Sequence, residues 1–277
     1  MIAVVGGGRM GRSLAGVLSE AGESVVLWSR REAAGSVTDA VSGSHTVLLA
    51  VPDDVLDPLA RELAARRAVG PDQVVLHLSG VHTRDIIAPL DSTGAALGSL
   101  HPLQTISEPS QARSRWPGSY AAIEGDARAL AEAERLCSIL GLTPVHVPGE
   151  AKMAYHAAAV VASNYVVVLA DLAARIAAAG GVPPEAAERM YLPLLRGAAE
   201  NLQRQSPVEA LTGPIRRGDA ATVRRHLAVL GVAERRLYAS LGLHALMLAR
   251  AGGLPAATAD EIERVLRGGE GPTDPRS

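Results

Sequence analysis

The glycine-rich turn at residues 4–11 constrains this chain more than any other segment. It reads Val4-Val5-Gly6-Gly7-Gly8-Arg9-Met10-Gly11, closing the β-branched run Ile2–Val5 and opening the amphipathic stretch Arg9–Ala21. Gly6, Gly8 and Gly11 hold the G-x-G-x-x-G spacing. In that pattern the first glycine permits a tight turn, the second lets the backbone approach a pyrophosphate, and the third lets the helix pack on the strand. A helix starting near Arg9 aims its free N–H groups at the phosphates. With a strand before it and a helix after it, the spacing predicts a dinucleotide site that includes Arg9 and Met10.

The end of the next β-branched run, Ser24–Trp28, bears on which dinucleotide binds. A carboxylate there accepts from the ribose hydroxyls of NAD(H). This chain has Ser29-Arg30-Arg31. Two guanidiniums suit a 2′-phosphate through charge-assisted, bidentate hydrogen bonds, so NADP(H) is expected over NAD(H); the alternative is a solvated basic loop. Ala50-Val51-Pro52-Asp53 and Leu78-Ser79-Gly80 close two further runs. Ligands of open sheets lie beyond such strand ends. Val51, Pro52 and Ser79 either touch the nucleotide or form ordinary strand-to-helix turns.

The pattern along the chain alternates up to about residue 147. Apolar runs at 2–5, 24–28, 46–51, 73–78, 95–100, 120–123 and 144–147 are separated by loops or by helical stretches, clearest at 9–21, 54–67 and 127–140. This alternation predicts βαβ units and a mainly parallel sheet covered on both faces. Residues 30–45 are short and polar, so the second helix is expected to be stunted. After Pro148-Gly149 the pattern turns helical, near 151–179, 184–203, 219–231, 233–250 and 257–267. Three segments follow: 1–148 binding nucleotide, 149–268 all helical, and a disordered tail at 269–277. Only 3% of residues are aromatic and none is Phe, so the core must be built from Leu, Val, Ile and Ala.

Other classes are set aside by composition. A net charge of −2 gives no basic footprint for nucleic acid. The single Cys137 offers neither a disulfide nor a thiolate zinc site. The remaining histidines form no H-x-x-x-H pair, so no metal is expected. Met1 leads into Ile2-Ala3-Val4-Val5 without a charged leader, and no signal peptide is expected. The apolar stretch 157–182 is interrupted by Ser163, Asn164, Asp171 and Arg175, and reads as a buried helix of a soluble, cytoplasmic protein rather than a membrane span.

The candidate chemistry lies at the start of the helical half. Lys152 and His156 are four apart and share a helical face. A reductase needs a group that protonates the substrate oxygen and donors that stabilise its developing charge. Lys152 can do either, and His156 either orients the substrate or acts as the acid. Ser163 lies about 16 Å along the axis from Lys152, and Asn164 about 12 Å from His156, so these line a pocket wall or bond a neighbouring helix. Ser99-Leu100-His101-Pro102-Leu103-Gln104-Thr105 offers His101 and Gln104 in a loop, and Thr212-Gly213-Pro214-Ile215-Arg216 offers a hydroxyl and a guanidinium able to hold a carboxylate.

Together, Val5–Gly11, Ala50–Asp54, His77–Gly80, Ser99–Thr105, Tyr155–Asn164 and Thr212–Asp219 resemble oxidoreductases that join a Rossmann-like N-terminal domain to a helical C-terminal domain of unassigned function. That family is similar in architecture to the 6-phosphogluconate dehydrogenase-like superfamily, with its β-hydroxyacid dehydrogenases, ketopantoate reductases and pyrroline-5-carboxylate reductases. Many β-hydroxyacid dehydrogenases carry Gly-x-x-x-Lys-x-x-x-Asn at the first interdomain helix. Here Gly149 stands one position closer to Lys152, and His156 replaces the Asn. The resemblance implies an NADPH-dependent reductase of a small carboxylated 2-oxo compound, with Lys152 polarising the oxygen and His101 or Arg216 anchoring the carboxylate. Reduction of 2-dehydropantoate is the first expectation. The alternatives are an imine reductase similar to pyrroline-5-carboxylate reductase and a non-catalytic NADP(H) sensor or scaffold. A homodimer through the helical domain is also implied.

Overall fold

The computed structural model describes residues 1–32 and 35–268; the tail expected at 269–277 lies outside them. Seven strands form one sheet: β1 Ile2–Val5, β2 Val25–Trp28, β3 Thr46–Leu49, β4 Val74–His77, β5 Ala96–Leu103, β6 Tyr120–Gly125 and β7 Thr143–His146. Their order is β2-β1-β3-β4-β5-β6-β7. All neighbours pair in parallel except β5 with β6. The fold is α/β with a mainly parallel sheet, as the alternating pattern predicts.

Strand residues alternate between two cores, because successive side chains leave opposite faces of a strand. Ile2 and Val4 join Leu14, Leu18, Trp116, Leu136 and Cys137 in one cluster. Ala3 and Val5 join Val41, Leu56, Leu63, Ile87 and Leu90 in the other. The first cluster is covered by α1 (Arg9–Glu20), α4 (Ala112–Arg115) and α5 (Ala127–Leu140); the second by α2 (Val37–Ser42), α3 (Asp53–Ala65) and a 3₁₀ segment, Arg84–Thr93. Each fully buried Leu or Ile contributes about 1.5–3 kcal/mol. The second helix is stunted as expected: α2 has six residues and is fixed by a capping box between Ser36 and Asp39.

The chain divides into two compact units, Met1–Asn164 and Tyr165–Ser277. The division falls later than the expected boundary at 148, because helix α6 (Lys152–Ala162) is tied to the sheet by side chains described below. The second unit holds α7 (Asn164–Ala179), α8 (Pro184–Met190), α9 (Leu192–Leu202), α10 (Pro207–Ala210), α11 (Pro214–Arg217), α12 (Ala220–Val229), α13 (Val232–Ala251) and α14 (Ala256–Leu266). Its core gathers Ile215, Val223, Leu246, Ile262 and Leu266 from α11 to α14.

The expectation of a buried helix at 157–182 is corrected. Lys152 is the one buried residue of α6, and Leu172 and Ala177 are those of α7. Met153, Val161, Tyr165 and Val167 are exposed. Both faces of the sheet are already covered by α1 to α5 and the 3₁₀ segment, which leaves the apolar side chains of α6 unburied. By length and composition alone, the helical residues Gly149–Ala179 also suffice to cross a membrane.

Candidate active site

The glycine turn sits at the switch point of the sheet. The chain passes from β1 to β2 on one side and returns to β3 on the other, and open α/β sheets bind ligands at the carboxyl ends of such a pair. Gly6 has φ +128°, and a β-carbon on it would stand 2.2 Å from the Ala50 carbonyl oxygen. A β-carbon on Gly11 would stand 1.9 Å from the Gly6 carbonyl oxygen, so α1 packs against the turn only because residue 11 has no side chain. Gly8 is the N-cap of α1, no side chain caps the helix there, and nothing stands within 4 Å of a β-carbon at that position. Uncapped N–H groups behind an open glycine fit a pyrophosphate. Arg9 is exposed at the mouth, whereas Met10 packs on the core below.

At the end of β2, Ser29 is buried beside Gly7, while Arg30 and Arg31 are exposed. Glu32, one residue beyond Arg31, folds back here. Its carboxylate lies 2.5 Å from the Arg12 guanidinium, which holds that carboxyl below its ordinary range. Val51 packs on the core, and Pro52 is the N-cap of α3. The Ser79 hydroxyl accepts from the backbone N–H groups of Val81 and His82, so it shapes the loop after β4.

Beyond the carboxyl ends of β4 and β5 lies a polar cluster. His77 is fully buried; its Nε2–H donates to the Thr83 carbonyl at 3.0 Å and its Nδ1 accepts from the Ser79 N–H at 3.2 Å. Both nitrogens are satisfied in the neutral tautomer, and burial lowers its pKa to about 3. The antiparallel register sets Ser99 opposite Glu124. Lys152 reaches between them: its Nζ donates to the Ser99 hydroxyl at 2.6 Å and to the His82 carbonyl, and lies 3.4 Å from the Glu124 carboxylate. Lys152 is 1% exposed, and burial lowers its pKa. An ammonium has three donors, and all three are engaged.

One turn along α6 the surroundings open. The Tyr155 hydroxyl lies 2.8 Å from His101 Nδ1, with the two rings edge to face. Burial lowers the His101 pKa to about 4, helped by His156 and Lys152, and raises that of Tyr155 to about 12, so both are uncharged at neutral pH. The His156 Nδ1 atom is buried without a hydrogen-bond partner. It would stand 2.7 Å from a β-carbon on Gly80, and His101 Nε2 would stand 2.9 Å from the same point. Glycine at 80 is what lets two imidazoles close over the end of β4.

Residues 1–102 match the Rossmann-like domain family, and residues 119–245 match the domain of unknown function DUF2520. Protein TM1727 of Thermotoga maritima is similar in structure, with a TM-score of 0.67 and 25% identity over 91% of this chain and 99% of that one. An imine reductase of Myxococcus stipitatus in complex with NADP+ has a TM-score of 0.60 and 19% identity, over 97% and 93%. A pyrroline carboxylate reductase of Plasmodium falciparum with NADP bound has a TM-score of 0.60 and 10% identity, over 95% and 97%. The last two likenesses are of fold. No curated protein matches the chain.

In the Rossmann-like domain the expected turn residues Gly6, Gly8 and Gly11 come together. From the DUF2520 match, Lys152 and His156 meet the sheet as one helical face, but only His156 presents an unpartnered nitrogen. Gln104 bridges the Arg115 carbonyl and the Ser119 hydroxyl and accepts from the Thr105 N–H, which engages it in its own loop. Asn164 is exposed and accepts from the Ser163 hydroxyl. Thr212 is exposed, and Arg216 donates to the Gly252 carbonyl. Tyr155, Glu124 and Ser99 were missed as functional residues. Tyr155 carried a signal, since it lies three residues after Lys152 on the same helix.

Proposed function

We propose that this protein is an NADPH-dependent reductase of a small carboxylated compound, and that the bond it reduces is a C=N bond. The reading is carried by one arrangement: an uncapped helix start behind an open glycine at the carboxyl end of β1, and an imidazole–phenol cluster at the carboxyl ends of β4 and β5, along the same edge of one mainly parallel sheet. Bound on the turn, NADPH would supply a hydride. The chain must then manage the proton. Lys152 has no donor left for a substrate, and both His101 and Tyr155 are displaced away from titration near neutrality. An imine that arrives already protonated needs no acid, only uncharged groups to orient it.

Reduction of a 2-oxo acid such as 2-dehydropantoate is the second reading, and the Tyr155–His101 pair favours it. A phenol hydrogen-bonded to an imidazole can hand its proton to an alkoxide oxygen; His101 Nδ1–H then donates a hydrogen bond to the phenolate, which takes its proton back from solvent. The two readings separate in one experiment. Loss of nicotinamide absorbance is followed with cyclic imines and with 2-oxo acids, using the wild type and Tyr155→Phe. Imine turnover that survives the substitution supports the first reading. Turnover confined to 2-oxo acids and lowered about 10²-fold or more by the substitution supports the second. Tight NADPH binding without turnover of either class points to the sensor and overturns the enzyme.

We further propose a cytoplasmic homodimer that covers the exposed apolar side chains Met153, Val161, Tyr165, Val166, Val167 and Val168. Light scattering that gives a monomer, or partition into detergent, refutes it.

A further inference from the structure

The carboxyl end of β2 carries a charge arrangement that nucleotide binding alone does not require. Arg12 lies on α1, just past the glycine turn. Its Nε donates to the Gly7 carbonyl at 2.9 Å, and its terminal nitrogen lies 2.5 and 2.6 Å from the two oxygens of Glu32. The Glu32 carboxylate is also within 3.5 Å of the Ser29 hydroxyl. Ser29 lies so close to Gly7 that a β-carbon on Gly7 would stand 2.6 Å from Ser29 Cβ. Arg12, Glu32, Ser29 and the Gly7 carbonyl therefore meet at the junction of the turn and β2. The adenosine ribose of a dinucleotide lies at that junction.

An unpaired carboxylate at this place accepts from ribose hydroxyls and repels a 2′-phosphate. Here the carboxylate faces a guanidinium that is itself fixed to the turn by a backbone hydrogen bond. Arg12 and Glu32 together carry no net charge. The exposed Arg30 and Arg31 are then left to set the sign of the local field.

We propose that the Arg12–Glu32 pair is a charge mask that sets the choice between phosphorylated and unphosphorylated dinucleotides. The masked carboxylate admits a 2′-phosphate to Arg30 and Arg31. With Arg12 removed, Glu32 becomes an acceptor for the ribose hydroxyls and excludes the phosphate. This inference rests on the nucleotide reading above.

The test is calorimetric titration of the full chain with NADPH and with NADH, in the absence of any substrate. The proteins are the wild type, Arg12→Met, Glu32→Gln and the double variant. Arg12→Met is expected to shift the NADPH/NADH preference about tenfold or more toward NADH, a change of about 1.4 kcal/mol. The double variant is expected to return NADPH affinity close to that of the wild type, because no carboxylate is left to unmask. Glu32→Gln removes a carboxylate that Arg12 already masks, and is expected to leave NADH affinity unchanged and to hold or strengthen that for NADPH; a weaker NADH affinity in this variant would show that the carboxylate was never masked. An unchanged preference in Arg12→Met overturns the mask. So does a double variant as weak for NADPH as Arg12→Met alone, since Arg12 would then act by touching the phosphate itself. If the wild type binds neither nucleotide, the underlying reading falls, an outcome distinct from binding with an unmoved ratio.

Discussion

Replacing Lys152 by Met separates a strut from a chemical group. Met keeps most of the apolar stem and removes the ammonium. The Ser99 hydroxyl and the His82 carbonyl each lose a charge-assisted partner. The Glu124 carboxylate, whose side chain is 15% exposed, loses the cation 3.4 Å away. Removing one member of a buried ion pair costs about 3–5 kcal/mol, because the other charge stays behind. At 1.4 kcal/mol per decade, the unfolding constant rises between about 10²-fold and several thousand-fold. Trp28 and Trp116 are the two tryptophans of the chain, and both lie in the unit Met1–Asn164. Their fluorescence in guanidinium chloride therefore reports the transition of the unit concerned. The double variant Lys152→Met/Glu124→Gln should recover about 1 kcal/mol or more relative to the sum of the single changes. Turnover per folded molecule should persist in Lys152→Met. A loss below about 1 kcal/mol, with turnover abolished, refutes the strut and returns the lysine to chemistry.

Two further outcomes follow from the same cluster. Gly80→Ala places a β-carbon 2.7 Å from His156 Nδ1 and 2.9 Å from His101, so it should cost about 1–3 kcal/mol and lower turnover without changing nucleotide affinity in calorimetry. His77 and His101 have folded pKa values lowered to about 3 and about 4 from an ordinary 6.5, so the unfolded state takes up their protons first. Their contribution to stability is present above about pH 6.5 and is lost as pH falls toward 4. His77→Gln should flatten that part of the stability profile measured by tryptophan fluorescence, and an unchanged slope would show that His77 is not held neutral.

Strands and helices were legible because the β-branched runs and the helical periodicity agree with the tertiary structure along nearly the whole chain. The glycine turn was legible because its function is local: three spacings and two flanking elements define it. What stayed hidden was set by distant pairing. That Lys152 points into a polar core follows from the β5–β6 register, which brings Ser99 opposite Glu124, and no spacing in the sequence announces that partnership. Glu32 is not legible in the strand end itself, because a turn after Arg31 brings its carboxylate back to Arg12, twenty residues earlier in the chain. Gln104 read as a site residue because it follows His101 in a polar loop, yet its amide is engaged by Ser119 and Arg115. The outward face of α6 and α7 could not be read from apolar content, since an apolar helix is equally suited to a core, a subunit contact or a bilayer.

Cys137 is fully buried in the first core, and burial raises its thiol pKa to about 11. Alkylating reagents attack the accessible thiolate. The lone sulfur is thus silent while the sheet is closed and answers only when that layer comes apart, so the pace of labelling in native buffer clocks how often the domain opens.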